Sequence, residues 1–178
     1  MPWISIRPTV AHGRGAVYMH AMSPRSRRPA DPQDGCGPDD DPWIAAATAA
    51  DPRAAATAIL RSSWEAARAR AAQRLENKLG GVEVARLYSA AADDLLTALW
   101  RFTTGALYPA PNPSEAERLT LIAVGGYGRG VLAPHSDLDL LFLRPWKPIP
   151  RTEQVIEFML YVLWDLGVKV GQSARSVD

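Results

Sequence analysis

From Leu121 to Leu143 the chain reads Leu-Ile-Ala-Val-Gly-Gly-Tyr-Gly-Arg-Gly-Val-Leu-Ala-Pro-His-Ser-Asp-Leu-Asp-Leu-Leu-Phe-Leu, and no other stretch restricts the fold as much. The apolar run from Leu119 to Val124 is short and stops at glycines, which predicts a buried strand. A glycine-rich turn and a short excursion follow. Asp137-Leu138-Asp139 then opens a second apolar run, a second strand. Side chains two apart on a strand share a face. Asp137 and Asp139 therefore point one way, and Leu138, Leu140 and Phe142 point into the core. Two carboxylates on one face repel each other unless a cation or hydrogen-bond donors compensate. Mg²⁺ suits such a pair, because it takes one or two carboxylates and leaves its other positions to water and phosphate oxygens.

The turn between the strands is Gly125-Gly126-Tyr127-Gly128-Arg129-Gly130. Glycines let a backbone approach a ligand closely and take positive φ. Successive N–H groups in such a loop form an anion-binding nest. Arg129 adds a fork-shaped cation that matches phosphate. The expected division of labour is a loop that holds a triphosphate and aspartates that hold metal, with catalysis by positioning and charge neutralisation. The spacing is not the dinucleotide fingerprint, and no Gly-Lys-Ser/Thr of a P-loop follows. Either half alone is common; their fixed separation, six residues from Gly130 to Ser136, is what makes the pair informative.

Upstream, residues 1–41 carry scattered prolines, glycines and arginines without hydrophobic periodicity, and read as a disordered or mis-started arm. Residues 42–117 read as a helical region. Trp43 to Ala50 is alanine-rich and predicts a short helical turn. Asp51-Pro52 is an N-cap with proline in the first turn. A helix to Leu79 should follow, with Leu60, Trp64, Ala67, Ala71, Leu75 and Leu79 on one face. Gly80-Gly81 ends it. A second helix is expected from Val82 to Thr104, antiparallel to the first. Its stripe is Val84, Leu87, Tyr88, Ala91, Leu95, Ala98, Leu99 and Phe102. Asp93 and Asp94 are adjacent, hence on different faces, and do not read as a catalytic pair. Gly105 to Glu117 reads as a loop because of its prolines. In residues 118–178 the two strands are followed by a proline loop at Pro145, Pro148 and Pro150. A helix capped by Thr152 comes next, with Val155, Ile156, Met159, Leu160, Leu163 and Trp164 inward. After Gly167 a further strand starts at Val168. The fold class is α+β: a helical pair followed by a small α/β unit that looks cut off in mid-domain at Asp178.

The run from Gly125 to Leu143 resembles the signature of the nucleotidyltransferase superfamily with a DNA polymerase β-like catalytic fold. Within it, Ala123 to Gly130, Leu132 to Pro134 and Ser136 to Leu143 resemble the bifunctional uridylyltransferase/uridylyl-removing enzymes of the nitrogen-regulatory PII protein. Leu163 to Gly167 and Val170 to Ser176 are similar to the same family. The resemblance implies transfer of UMP from UTP to a tyrosine of PII, release of pyrophosphate and dependence on Mg²⁺. It implies that Asp137 and Asp139 are catalytic and bind metal, and that Gly125 and Gly126 belong to the nucleotide loop. Arg129 and Ser136 stand at motif positions and are assigned to nucleotide binding. Many superfamily members carry serine where this chain has Gly126; the glycine agrees with the uridylyltransferase branch. A third carboxylate on a later strand is usual in the superfamily, and Val168 to Val177 offers none. The family is also far longer, with an HD-type hydrolase domain and glutamine-sensing ACT domains. This chain is a fragment in that reading and is not expected to remove UMP or sense glutamine.

Two other readings stay open. One is a protein adenylyltransferase of the same superfamily, since base choice is not legible in these residues. The other is a non-catalytic nucleotide-binding regulatory module. A net charge of +1 argues against a nucleic-acid partner. No apolar run nears the ~20 residues that span a bilayer, so no membrane partner is expected. One cysteine, Cys36, fits a reducing compartment, and the expected location is the cytoplasm.

Overall fold

The computed structural model describes residues 18–20, 41–78, 80–111, 114–146 and 148–177. Leu79, Pro113, Asp178 and the expected arm apart from 18–20 and Asp41 lie outside the described residues. Strand β1 is Tyr18–His20, followed by helices α1 (Pro42–Thr48), α2 (Pro52–Glu76) and α3 (Gly81–Arg101). Strand β2 (Thr120–Ala123), the single turn α4 (Gly125–Gly128), strand β3 (Leu138–Pro145), helix α5 (Pro150–Asp165) and strand β4 (Val170–Val177) complete the order. The chain is thus of mixed helix and sheet, α+β in class.

The helical starts follow the cap chemistry. Asp41 accepts from the N–H of Trp43, with Pro42 in the first turn. It therefore caps α1 and is not part of a disordered arm. Asp51 accepts from Arg53 and Ala54 and starts α2. Helix α2 ends at Glu76; Asn77 closes it, and Lys78 takes φ 63°. Leu75 is exposed, against the stripe read from sequence. Leu87 and Trp164 are exposed as well; each lies at the margin of its apolar stripe.

Two expected loops are partly regular. Gly105 does not break the chain, because α3 continues as a wide π-helical segment, Phe102–Leu107. There the Thr103 and Thr104 hydroxyls donate to the carbonyls of Leu99 and Trp100, which opens the helix. Glu115–Glu117 forms a short 3-10 turn with Ser114 and Glu117 as a capping box. After β3, Pro145 still belongs to the strand and Pro150 starts α5. Proline's fixed φ and missing N–H suit a first helical turn. Thr152 consequently caps nothing; its hydroxyl donates to the Ile149 carbonyl inside the first turn.

The sheet among the described residues has the order β1-β2-β3-β4. The first two pairings are antiparallel, and β3 pairs parallel to β4 through the crossover helix α5. Burial alternates along β3: Leu138, Leu140 and Phe142 are essentially inaccessible, and Asp139 lies on the other face. Those three side chains enter one apolar cluster with Leu95, Leu96 and Leu99 of α3 and Val155, Met159 and Leu163 of α5. Helices from 42–117 and strands from 118–178 therefore share a single core. That core sets the distance between α3 and the β2–α4 junction, where the chemistry-bearing residues collect.

Candidate active site

Strand β2 ends at Ala123, and the chain turns at once into α4. The glycine stretch is thus a helical turn, not the open loop expected from its composition. Two glycines explain why the turn fits. Gly125 takes φ 62°, a left-handed conformation that disfavours side chains. Gly128 packs so closely on the end of β2 that an added Cβ would stand 2.5 Å from the Ala123 carbonyl oxygen. The turn is closed by Gly128 N–H donating to Val124 (2.8 Å), Gly130 to Tyr127 (2.8 Å) and Val131 to Gly126 (3.1 Å). Its first N–H groups have no carbonyl one turn back, as at any helical start.

The second strand brings in the carboxylates. Asp137 stands just before β3 and is exposed; Asp139 is its second residue and is half-buried. The N–H of Val124 donates to the Asp139 carbonyl (3.0 Å), which ties the start of the glycine turn to the aspartate strand. The Asp139 carboxylate lies between two glycines. A Cβ on Gly125 would collide with Oδ2, and a Cβ on Gly171 would stand 2.5 Å from Oδ1. Gly171 is the β4 residue paired with Asp139 in the parallel ladder.

Gly126, Arg129, Ser136, Asp137 and Asp139 line one cavity of about 390 Å³, together with Val131, Leu132 and Ala133. Gly125 backs the same cavity through its contact with Asp139. All six residues singled out in the sequence are thus brought to one place. A second open groove, about 300 Å³ between α5 and β4, shares none of the cavity's residues. Two carboxylates beside a polar cavity provide the oxygen ligands that Mg²⁺ prefers, with room for water and phosphate oxygens. Among the described residues no group of three His, Cys, Asp or Glu is placed to hold a metal.

Sequence reasoning missed the residues behind the turn. Tyr127 is 1% exposed, and its hydroxyl donates to Asp93 Oδ1 at 2.6 Å. Desolvation holds the Asp93 carboxyl above the usual aspartate range; the Tyr127 hydrogen bond opposes this and the charge of Asp94 adds to it. Burial, with the Asp93 charge, pushes the Tyr127 phenol well above its ordinary value. Ser89, also on α3, donates to the Ala85 carbonyl (3.0 Å) and accepts from the N–H of Leu132 (2.9 Å). The available signal was a polar pair four apart on the buried side of an otherwise apolar helix. Gly171 left no such signal, since its importance lies in strand register.

Similarity to known proteins extends over most of the chain. Over 129 residues, 72% of the chain, it is 55% identical to the bifunctional uridylyltransferase/uridylyl-removing enzyme of Caulobacter vibrioides. It is 55% identical over 126 residues to the protein of that name from Phenylobacterium zucineum, and 48% over 126 residues to that from Azospirillum brasilense. The chain is thus homologous to part of these proteins, as the motif resemblance implied. The aligned residues make up only 13–14% of the length of these relatives. No protein-family model matches the chain, and no solved structure matches it.

Proposed function

We propose that this homologue of the bifunctional uridylyltransferases carries the nucleotidyl-transfer site of such an enzyme, with a DNA polymerase β-like catalytic fold. The reaction is transfer of UMP from UTP to a tyrosine of the PII protein, with release of pyrophosphate. The observation that carries this reading is the single cavity lined by Gly126, Arg129, Ser136, Asp137 and Asp139. A structural role would not place two carboxylates, a guanidinium and a glycine turn around one solvent-filled space.

In this reading Asp137 and Asp139 hold Mg²⁺, which supplies charge neutralisation on the phosphates. Arg129 binds phosphate oxygens with its fork of donors. The glycine turn lets the triphosphate approach the backbone, and Ser136 offers a hydroxyl beside the aspartates. Asp139, confined between Gly125 and Gly171, is held in one orientation. The acceptor phenol oxygen bonds to the α-phosphorus as the bond from that phosphorus to the bridging oxygen breaks. The phenol proton passes to solvent, and the electron pair leaves with pyrophosphate. The chain's residues supply position and charge rather than a covalent intermediate.

The test is label transfer to PII from UTP and, separately, from ATP, with and without Mg²⁺. Wild type is compared with Asp137→Asn and Asp139→Asn. Expected is Mg²⁺-dependent transfer from UTP that both variants lose while their circular dichroism stays unchanged. Wild-type activity in either variant removes the metal assignment. Transfer from ATP but not UTP replaces this reading by adenylyl transfer. Nucleotide binding without transfer makes the chain a binding module. Among the described residues no helix is long and apolar enough to cross a membrane, and the proposed reaction is assigned to the cytoplasm.

A further inference from the structure

Ser89 and Asp93 lie four residues apart on α3, hence one above the other on the same helix face. They reach the glycine turn from two points. Asp93 accepts from the Tyr127 hydroxyl, 34 positions away in sequence, and Ser89 accepts from the Leu132 N–H, 43 positions away. The two anchors straddle Gly128-Arg129-Gly130, and Arg129 between them is exposed to the cavity. Tyr127 and Leu132 are themselves buried, 1% and 5% exposed, so both ends of this short segment are seated in the core.

A segment with four glycines in six residues loses much conformational freedom when ordered. Its internal hydrogen bonds define a turn but not where the turn sits relative to Asp137 and Asp139. The Val124 N–H bond to the Asp139 carbonyl fixes the start of the turn; the placement of its far end has to come from other contacts. The choice of partners fits this need. Phe in place of Tyr127 would fill the same apolar space with no polar group to satisfy. A phenol bonded to a half-buried carboxylate is costly to desolvate but strongly directional. Ser89 is similarly committed: its hydroxyl both donates and accepts, so its one proton and one acceptor site are fixed.

We propose that Ser89 and Asp93 are positioning residues that clamp the glycine turn from α3, setting Arg129 and the turn's backbone where a nucleotide's β- and γ-phosphates are received. This rests on the nucleotidyl-transfer reading above. The helical region then belongs to the site, because α3 supplies both anchors. Neither residue touches the nucleotide; each acts through the turn.

Calorimetric titration of the chain with Mg·UTP and, separately, UMP tests this, beside thermal melts. Ser89→Ala removes the acceptor of the Leu132 N–H. Asp93→Leu removes the acceptor of Tyr127, whereas Asp93→Asn keeps an acceptor oxygen and serves as the rescue. The expected result is a Kd for Mg·UTP raised about tenfold in Ser89→Ala and Asp93→Leu, the loss typical of one strong hydrogen bond. UMP, which lacks the outer phosphates, should change less than about twofold, and Asp93→Asn should stay within about threefold of wild type for both ligands. A merely structural defect lowers the binding-competent fraction for both nucleotides and leaves the ratio of their Kd values unchanged. Unchanged Mg·UTP affinity in a folded Ser89→Ala, or equal losses for UTP and UMP, overturns the clamp. If Asp93→Leu does not fold, Ser89→Ala decides. A wild-type chain that binds no Mg·UTP overturns the nucleotidyl-transfer reading and the clamp with it. Wild-type binding beside unaltered variants overturns the clamp alone.

Discussion

Replacing Gly171 by alanine should damage the site while leaving the fold nearly intact. An alanine Cβ at 171 would stand 2.5 Å from Asp139 Oδ1 and 3.7 Å from its Cγ. The oxygen must move by about 1 Å to restore van der Waals contact, a displacement that typically costs a catalytic site on the order of 10²-fold. The clash falls on the far end of a side chain, not on backbone. Gly171 lies in β4 and is not among the glycines with positive φ. An Asp139 side chain pushed off its rotamer costs about 0.5–1.5 kcal/mol. Gly→Ala in extended backbone returns about 0.4–1 kcal/mol by restricting the unfolded chain. The net change in stability should thus be within about 1 kcal/mol, or roughly 2–4 °C in Tm for a chain of this size. Two companion variants separate the terms. Gly130 takes φ 69° with nothing near its would-be Cβ, so Gly130→Ala should lose about 1–2 kcal/mol from backbone strain. Gly125 combines positive φ with contact on Asp139, so Gly125→Ala should lose both stability and Mg²⁺-dependent binding. The assay is a thermal melt of each variant beside a Mg²⁺ titration at fixed UTP. A folded Gly171→Ala that keeps Mg²⁺-dependent UTP binding within about threefold of wild type would refute the reasoning, because Asp139 would then have no need of its present orientation.

Arg129→Ala should raise the Kd for UTP about tenfold or more, the scale of a charged hydrogen bond, with no change in Tm; unchanged binding removes Arg129 from the site. Leu99→Ala should cost about 2–5 kcal/mol, because Leu99 is fully buried in the core that α3 shares with the sheet. Far-UV dichroism and tryptophan fluorescence should report one lowered transition, and two separate transitions would contradict a shared core. Desolvation raises the Asp93 carboxyl above the ordinary value of 3.8, so the folded chain keeps its proton where the unfolded chain has lost it. This group's contribution to stability is therefore lost as pH rises from about 3.8 through the folded value. Asp93→Asn should flatten that decline, read as Tm against pH; an unaltered profile would show that Asp93 is not desolvated.

Much of the local order was legible. Asp51-Pro52 marked the start of α2, and the apolar spacing of Val84, Tyr88, Ala91, Leu95 and Leu99 placed the buried face of α3. Alternation along Leu138, Leu140 and Phe142 put Asp139 on the opposite face of β3. Each of these follows from a periodicity or a cap that acts within one element. Boundaries were less legible where competing local effects decide them. The Thr103 and Thr104 hydroxyls carried a helical path through Gly105, and Pro150 served as a helix start rather than a loop residue. The glycine turn became helical because the close approach of Gly128 to Ala123 is a packing property, not a compositional one.

Which residue types stand at what spacing is read directly from the chain: a glycine turn carrying Arg129, then Ser136, Asp137 and Asp139. That spacing is covalent, and strand alternation converts it directly into a shared direction. Which distant residues hold those groups in place is set by packing and strand register. Gly171 meets Asp139 because β4 pairs with β3 in one register, and a shift of one residue would put a side chain against the carboxylate. Ser89 and Asp93 reach the turn because the common core seats α3 beside it. Register and helix packing are settled by burial summed over the whole molecule, so no window of sequence contains them.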